Sequence, residues 1–266
     1  PVVAGVTDNL AVMIGSGTYN SDQISVVGGT WGINQVLSKS HVRDRSVFQS
    51  IPTHLDDWQL VVESTPNSMS NFDWYVKTSV DIPAGVVGTG IYEFCDAQYV
   101  EAEPSLSGKT IFLPHLYGTP RHPFRTGGHF GLTGNTSSRE ILASVYEGVA
   151  FEHRTLISRL PIPSSDTPVR LSGGVLRSNV WLQLFADALG RPVQTPNTEE
   201  VAARGVAMVA GVAVGVFDNF ESATASMTRV SGILNPDPIK AQRLSDRYEI
   251  YAKARELALD FAIGLD

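Results

Sequence analysis

Few residue types in this chain could do chemistry, and their spacing narrows the field further. Gly173-Gly174 follows the short extended run Val169-Arg170-Leu171 and precedes a helical segment that starts near Ser178. Glycines without a Cβ let a backbone come close to a ligand. The unpaired N–H groups and positive dipole end of the next helix suit a phosphate or a nucleotide edge. An ordinary strand-to-helix turn has the same spacing, and the chain contains neither a P-loop nor a complete G-x-G-x-x-G run. Asp8 stands where a helix over Leu10–Ile14 would begin, and Thr7 or Asp8 would cap it. Gly28-Gly29-Thr30-Trp31-Gly32 reads as a glycine-rich turn. His115 and His122 lack partners at metal or triad spacing, and both read as structural or surface histidines.

The elements that must position these residues alternate. Val2–Gly5 reads as a short buried strand. Two extended runs between Asp22 and Val36 form a hairpin with the glycine-rich segment at its tip. After a polar loop over 41–51, Trp58–Glu63 reads as a strand, and Ser64–Trp74 as a polar turn entering a helix. Residues 80–103 read as variable connecting structure. Thr110–Gly118 is a buried strand leading to a loop, and Gly127–Thr133 returns as another. Ser137-Ser138-Arg139-Glu140 fits a capping box at the head of a helix over 137–159, whose apolar face carries Ile141, Leu142, Val145 and Val149. A linker spans 161–168. Beyond the glycine pair come a helix to Leu189, a stop at Gly190 and a strand at Arg191–Val193. A long helix over 200–217, rich in Ala and Gly, reads as buried. A last amphipathic helix runs to about residue 262 with Leu244, Tyr248 and Tyr251 inward. Periodicity gives an α/β class, and no internal repeat is present.

Composition excludes several functions. The 266 residues are 42% apolar and 18% charged, which describes a globular chain with an ample core. The net charge of −7 without a long basic run argues against nucleic acid. One cysteine, Cys95, excludes an internal disulfide, suits a reducing cytoplasmic setting and reads as an inert small residue. No apolar run reaches membrane-spanning length, and no signal peptide is recognisable. Because Pro1–Gly5 reads as a strand already in progress, the chain is expected to be a fragment of something longer.

A family resemblance ties these parts together. The run Ser172-Gly173-Gly174-x-x-x-Ser178-x-x-Trp181-x-Gln183-x-x-Ala186-Asp187-x-x-Gly190-x-Pro192-Val193, followed by Glu200-x-x-Ala203-x-Gly205, resembles the adenosine-binding signature of the FGGY carbohydrate kinases. Pro1-Val2-Val3-Ala4-Gly5-x-x-Asp8-Asn9 is similar to that family's second signature. Thr110–Gly118, Gly127–Thr133 and Glu147–Phe151 resemble further family elements. The sequence departs from the commonest pattern at Gly118-Thr119-Pro120-Arg121, where many members carry Gly-Glu-Arg. Thr30-Trp31, Phe112–Gly118 and Ser64–Trp74 look most like the L-xylulose and xylulose kinases.

The resemblance covers essentially the whole chain and corresponds to the C-terminal half of such kinases. It implies a ribonuclease H-like domain of the actin-like ATPase superfamily, a mixed sheet flanked by helices over residues 1–266. The N-terminal sugar-binding half would be a separate partner. It also implies phosphoryl transfer from ATP, with Mg2+, to a hydroxyl of a ketopentose or related sugar. Asp8 would be the catalytic base and, with Asn9, would meet the sugar. Gly29 and Thr30 would hold phosphates, and Gly173, Gly174 and Ser178 would flank adenosine. Ser70, Asn71 and Asp73 lie on the turn that the family places beside the nucleotide, and a helix cap explains them equally well. Glu147 is expected to pack through hydrogen bonds. A dedicated protein metal cage is not expected, and a homodimer is left open. Two alternatives remain: a nucleotide-binding module without turnover, and an actin-like assembly protein.

Overall fold

The computed structural model describes residues 1–40, 42, 47–53, 55, 57–102, 109–119 and 126–263. His122, Pro120 and Arg121 therefore lie outside the described residues. Residues 1–7 are irregular and mostly exposed, and among the described residues no strand pairs with them, so the expected strand at Val2–Gly5 does not form. A β-prone run needs a neighbour to accept its N–H and C=O groups, and the sheet offers none there.

The chain then enters α1 (Asp8–Gly15), capped by Thr7, whose Oγ1 accepts from the Leu10 N–H. The hairpin follows as β1 (Ile24–Gly28) and β2 (Gly32–Ser38), antiparallel with Gly28 opposite Gly32. Next come β3 (Gln49–Pro52), within part of the expected loop, and β4 (Gln59–Thr65). Helix α2 (Met69–Ser79) comes after the polar turn. A helix missing from the sequence reading, α3 (Gly90–Ala102), occupies the region taken as variable. Its buried residues Cys95, Tyr99 and Ala102 recur at helical spacing, but Gly90 and exposed Tyr92 and Val100 blur the pattern. A small pair, β5 (Ile111–Leu113) and β6 (Gly128–Phe130), precedes α4 (Ser138–Ile157). The capping box at Ser137 and Glu140 forms as expected.

From there β7 (Val169–Ser172), a single 3-10 turn (Gly174–Arg177), α5 (Asn179–Leu189) and β8 (Val193–Pro196) follow the expected order. Gly190 ends α5 in the left-handed region, at φ 61° and ψ 32°. The remainder is α6 (Val201–Ala213), α7 (Phe220–Met227), β9 (Val230–Leu234) and α8 (Pro238–Ile263). Neither α7 nor β9 was apparent in the sequence. Among the described residues no helix is long and apolar enough to cross a membrane.

Among the described residues seven strands form one mixed sheet in the order β3-β4-β2-β1-β7-β8-β9. β1, β7 and β8 are parallel neighbours, and the other pairings are antiparallel. Strand alternation divides the core. Ile24, Val26, Val36, Val61, Val169, Leu171 and Val193 face the larger core, which includes residues of α2, α3, α4, α5 and α8. Ile33, Leu37, Leu60 and Val62 face the other, shared with α1, α6 and α7. Aromatic rings dominate the larger core: Tyr146 stacks on Trp181 at 4.3 Å and on Tyr99 at 4.8 Å. Burial lifts the Tyr146 hydroxyl far above its usual range, and burial raises the Cys95 thiol to about 11, keeping it protonated and inert at neutral pH.

The expectation of a buried 200–217 helix is half right. Val201, Gly205, Met208 and Val209 of α6 are buried, whereas Ala202, Ala203, Val206 and Ala207 are exposed. The small residues serve one seam: a Cβ on Gly205 would overlap the Ala11 carbonyl oxygen, and one on Gly15 would overlap that of Val201. Helices α1 and α6 thus cross backbone to backbone. Gly205→Ala in an unconstrained helix interior would gain roughly 0.5–1 kcal/mol; across this seam it should instead lose about 3 kcal/mol by overpacking. Urea denaturation reads the sign directly, and a stabilised variant would show that the helices do not meet at this point.

Candidate active site

The two glycine turns lie side by side at one end of the sheet. Because β1 and β7 are parallel, with Val27 opposite Ser172, both strands deliver their turns to the same edge. Gly173 has φ +93°, and a Cβ there would lie 2.8 Å from the Gly28 carbonyl oxygen. A Cβ on Gly28 would lie 2.6 Å from the Val175 side chain. Only glycine permits this conformation and this contact together. The start of α2 closes the group, since the Met69 N–H donates to the Gly29 carbonyl at 3.0 Å. Gly29 is half-buried, and Thr30 and Trp31 are exposed at the tip.

Asp8 is exposed on the first turn of α1, and its Oδ1 accepts from the Asn9 N–H at 2.7 Å. Asn9 fixes that turn to the hairpin: its carbonyl accepts from Gln35 Nε2 at 2.9 Å, and the same amide nitrogen reaches Ser25 Oγ at 3.3 Å. The Gln35–Ser25 pair stands three rungs below Gly32–Gly28, so this anchor lies about 10 Å along the strands from the tip, at the usual rise per residue. The Asp8 carboxylate is exposed rather than sealed in the core, and among the described residues no ion pair holds it.

Other expected residues are committed elsewhere. The Ser178 hydroxyl caps α5 by accepting from the Trp181 N–H at 3.1 Å, and it donates to Asp96 Oδ2 at 2.7 Å. Tyr146 donates to the second oxygen of Asp96 at 2.8 Å. Burial pushes the Asp96 carboxyl up, and the bonds from Ser178 and Tyr146 oppose the shift. Ser70 donates to the Pro66 carbonyl. Asn71 is fully buried and donates to Asn67 Oδ1 at 3.3 Å. Asp73 accepts from the Tyr92 hydroxyl at 3.0 Å.

Asn67 went unnoticed in the sequence. Buried between elements, it donates to the Gly118 carbonyl and accepts from the Tyr117 N–H at 3.1 Å, tying the approach to α2 to the loop after β5. Asp96 was missed because α3 was. His115 proves structural: it is fully buried with Nε2 3.2 Å from Glu152 Oε2, which also accepts from the Tyr251 hydroxyl at 2.8 Å. Glu147 receives Arg247 Nε at 2.7 Å, the packing role expected of it. Among the described residues no group of three or more His, Cys, Asp or Glu side chains could hold a metal ion.

Residues 24–214 match the family model for the C-terminal domain of the FGGY family of carbohydrate kinases. The chain belongs to this family. It is 28% identical over 254 residues to the L-xylulose/3-keto-L-gulonate kinase of Escherichia coli (strain K12), covering 94% of this chain and 49% of the relative. The probable L-xylulose kinase of Haemophilus influenzae is 27% identical over 267 residues, covering 95% and 50%. This FGGY chain thus spans about half the length of the curated relatives it matches. Its fold is that of a solved xylulose kinase from Lactobacillus acidophilus, with TM-score 0.86, 20% identity and coverage of 98% and 52%. It also matches a Plasmodium falciparum glycerol kinase solved with ADP, with TM-score 0.72, 17% identity and coverage of 93% and 50%. These neighbours place the chain in the actin-like ATPase fold, a mixed sheet flanked by helices.

Directly behind Gly32 lies His153, fully buried on α4. Burial lowers its pKa to about 4, and the nearby Glu152 charge only partly opposes the shift. The imidazole is thus neutral in the folded chain at neutral pH. An unfolded chain takes up this proton below about pH 6.5, so folding stability should fall as pH drops from there toward 4. Urea midpoints across that range should show this loss, and His153→Gln should flatten the part of the slope that the imidazole causes. An unchanged slope in the variant would assign the pH dependence to other groups.

Proposed function

We propose that this chain is the C-terminal, nucleotide-binding half of a kinase. The reaction is transfer of the γ-phosphoryl group of ATP to a hydroxyl of a small sugar or polyol, with a ketopentose such as L-xylulose or xylulose favoured. The observation that carries this reading is the pair of backbone-lined turns at Gly28–Thr30 and Gly173–Gly174, pressed together where a side chain at Gly173 would intrude. Family membership, relatives named as L-xylulose kinases and a neighbour solved with ADP support it. A cytoplasmic setting accords with ATP as donor and with a free, buried Cys95.

Phosphoryl transfer demands in-line positioning and shielding of charge more than covalent chemistry from the protein. Backbone N–H groups at Gly29 and Thr30, with the Thr30 hydroxyl, would hold the phosphates. Gly173 and Gly174 would floor the adenosine site, while Ser178, engaged with Asp96 and the α5 cap, would shape that floor. Ser70 and Asn71 would brace the turn from behind. Asn9 would orient Asp8 and border the sugar. As the new O–P bond forms and the bond from Pγ to the bridging oxygen of ADP breaks, the proton of the sugar hydroxyl would pass to Asp8, whose exposed carboxylate is free to accept it. Mg2+ is commonly held by substrate phosphates and one or two carboxylates rather than by an all-protein cage. With the Asp8 carboxylate assigned to the proton, the substrate phosphates themselves would hold the ion, which would neutralise their charge.

A second reading, a nucleotide-binding module without turnover, is favoured by the half-length match alone. Calorimetry with ATP, and transfer assays on L-xylulose, xylulose and glycerol with and without an added N-terminal kinase half, separate the two. Asp8→Ala in the complete enzyme should lower turnover by at least about a thousandfold, within the range of a lost proton acceptor, while ATP affinity stays within about twofold. Turnover within tenfold of the parent would remove Asp8 from the role of base. ATP binding without transfer under every pairing would favour the module.

A further inference from the structure

Three buried polar side chains form a chain beneath the hairpin tip. His153 Nδ1 lies 2.8 Å from Asn34 Oδ1, and His153 Nε2 lies 3.0 Å from Ser68 Oγ. All three residues are fully buried. Because the Asn34 oxygen can only accept, Nδ1 carries the hydrogen and Nε2 accepts from the Ser68 hydroxyl. Each link joins a different element: Asn34 is on β2, His153 on α4, and Ser68 is the N-cap residue of α2.

The chain of contacts wraps one backbone site. A Cβ on Gly32 would lie 2.8 Å from His153 Cε1, 2.9 Å from Nε2 and 3.1 Å from the Ser68 Cβ, so the imidazole is flush with the end of the tip. Immediately after Ser68, the Met69 N–H holds the Gly29 carbonyl at the other side of the tip. Ser68 occupies an N-cap yet makes no side-chain cap bond. Its helix forgoes an interaction worth about 1 kcal/mol, and the hydroxyl faces the imidazole instead. A buried polar group is costly when unpaired, so loss of any member leaves the others exposed to that cost.

We propose that Asn34, His153 and Ser68 form a positioning relay that clamps the Gly28–Gly32 tip to the start of α2 and thereby sets the tip's grip on the phosphates of the nucleotide. The phosphate part rests on the kinase reading of Gly29 and Thr30. The clamp itself rests only on the contacts above. None of the three residues touches substrate; they act through the backbone that does.

Ser68→Ala, which removes a single oxygen, and His153→Gln, which breaks the chain at its centre, test this in the full 266-residue chain. Two readouts are needed: hydrogen exchange of the amides at 28–32 and 69–72, and calorimetric affinities for ATP and for adenosine. Both variants should release exchange at the tip about tenfold, the effect of one buried hydrogen bond, while β8 and β9 keep their protection. ATP should weaken about tenfold as well, and adenosine by less than about twofold, because only the phosphates meet the tip. Unchanged tip exchange in a folded Ser68→Ala or His153→Gln variant overturns the clamp. Released exchange with ATP affinity unmoved, in a parent that binds ATP, overturns its control of phosphate binding. A parent chain that binds no ATP overturns both the kinase reading and that control, and tip exchange still released in the variants would then establish the clamp alone.

Discussion

The constraint on which the rest depends is a backbone-to-backbone approach at one end of the sheet. Parallel pairing of β1 and β7 brings two turns out at the same edge, and the space between Gly173 and the Gly28 carbonyl has no room for a Cβ. A surface made of main chain presents N–H groups at fixed positions and carries no flexible side chain to be ordered when an anion arrives. That economy of entropy is the physical basis of phosphate recognition by glycine turns. It also makes the site intolerant, since one added methylene at Gly173 meets both an unfavourable φ and a carbonyl oxygen.

What surrounds the turns is a set of braces rather than additional chemistry. Asp96 receives both Ser178 and Tyr146 and so fixes the N-terminus of α5 behind the glycine pair. Asn67 ties the approach to α2 to the loop beyond β5. The buried Glu147–Arg247 pair, closed by Arg247 Nη2 donating to the Thr110 carbonyl at 2.9 Å, locks α8 onto α4 and the segment leading into β5. Breaking such a pair typically costs 3–5 kcal/mol because the remaining charge stays buried. On the opposite face, α1 is pressed to α6 through glycines and to the hairpin through Gln35, so Asp8 starts from a rigid helix although its carboxylate stands in solvent.

The parts legible in the sequence were those with local signals. Capping residues, the stop at Gly190, the hairpin glycines and the strand–turn–helix around Gly173 all follow from short-range rules, and each formed. The parts not legible depend on contacts between distant residues. Nothing within Ser64–Trp74 shows that Ser68 faces an imidazole 85 residues away. The strand expected at Val2–Gly5 had the right composition but finds no neighbour among the described residues. The exposed face of α6 was hidden because alanine and glycine read alike in a seam and in solvent. Helix α3, with its weak amphipathic contrast, gave no signal strong enough to reveal Asp96. The carboxylate at Asp8 was visible as a helix start, and its openness to solvent needed the structure.

Amide chemical-shift mapping with a non-hydrolysable ATP analogue tests the central claim most directly. The amides of Gly29, Thr30, Gly173 and Gly174 should shift together at one affinity, and those of α8 should stay still. Shifts confined to another part of the surface, or to only one of the two turns, would contradict it.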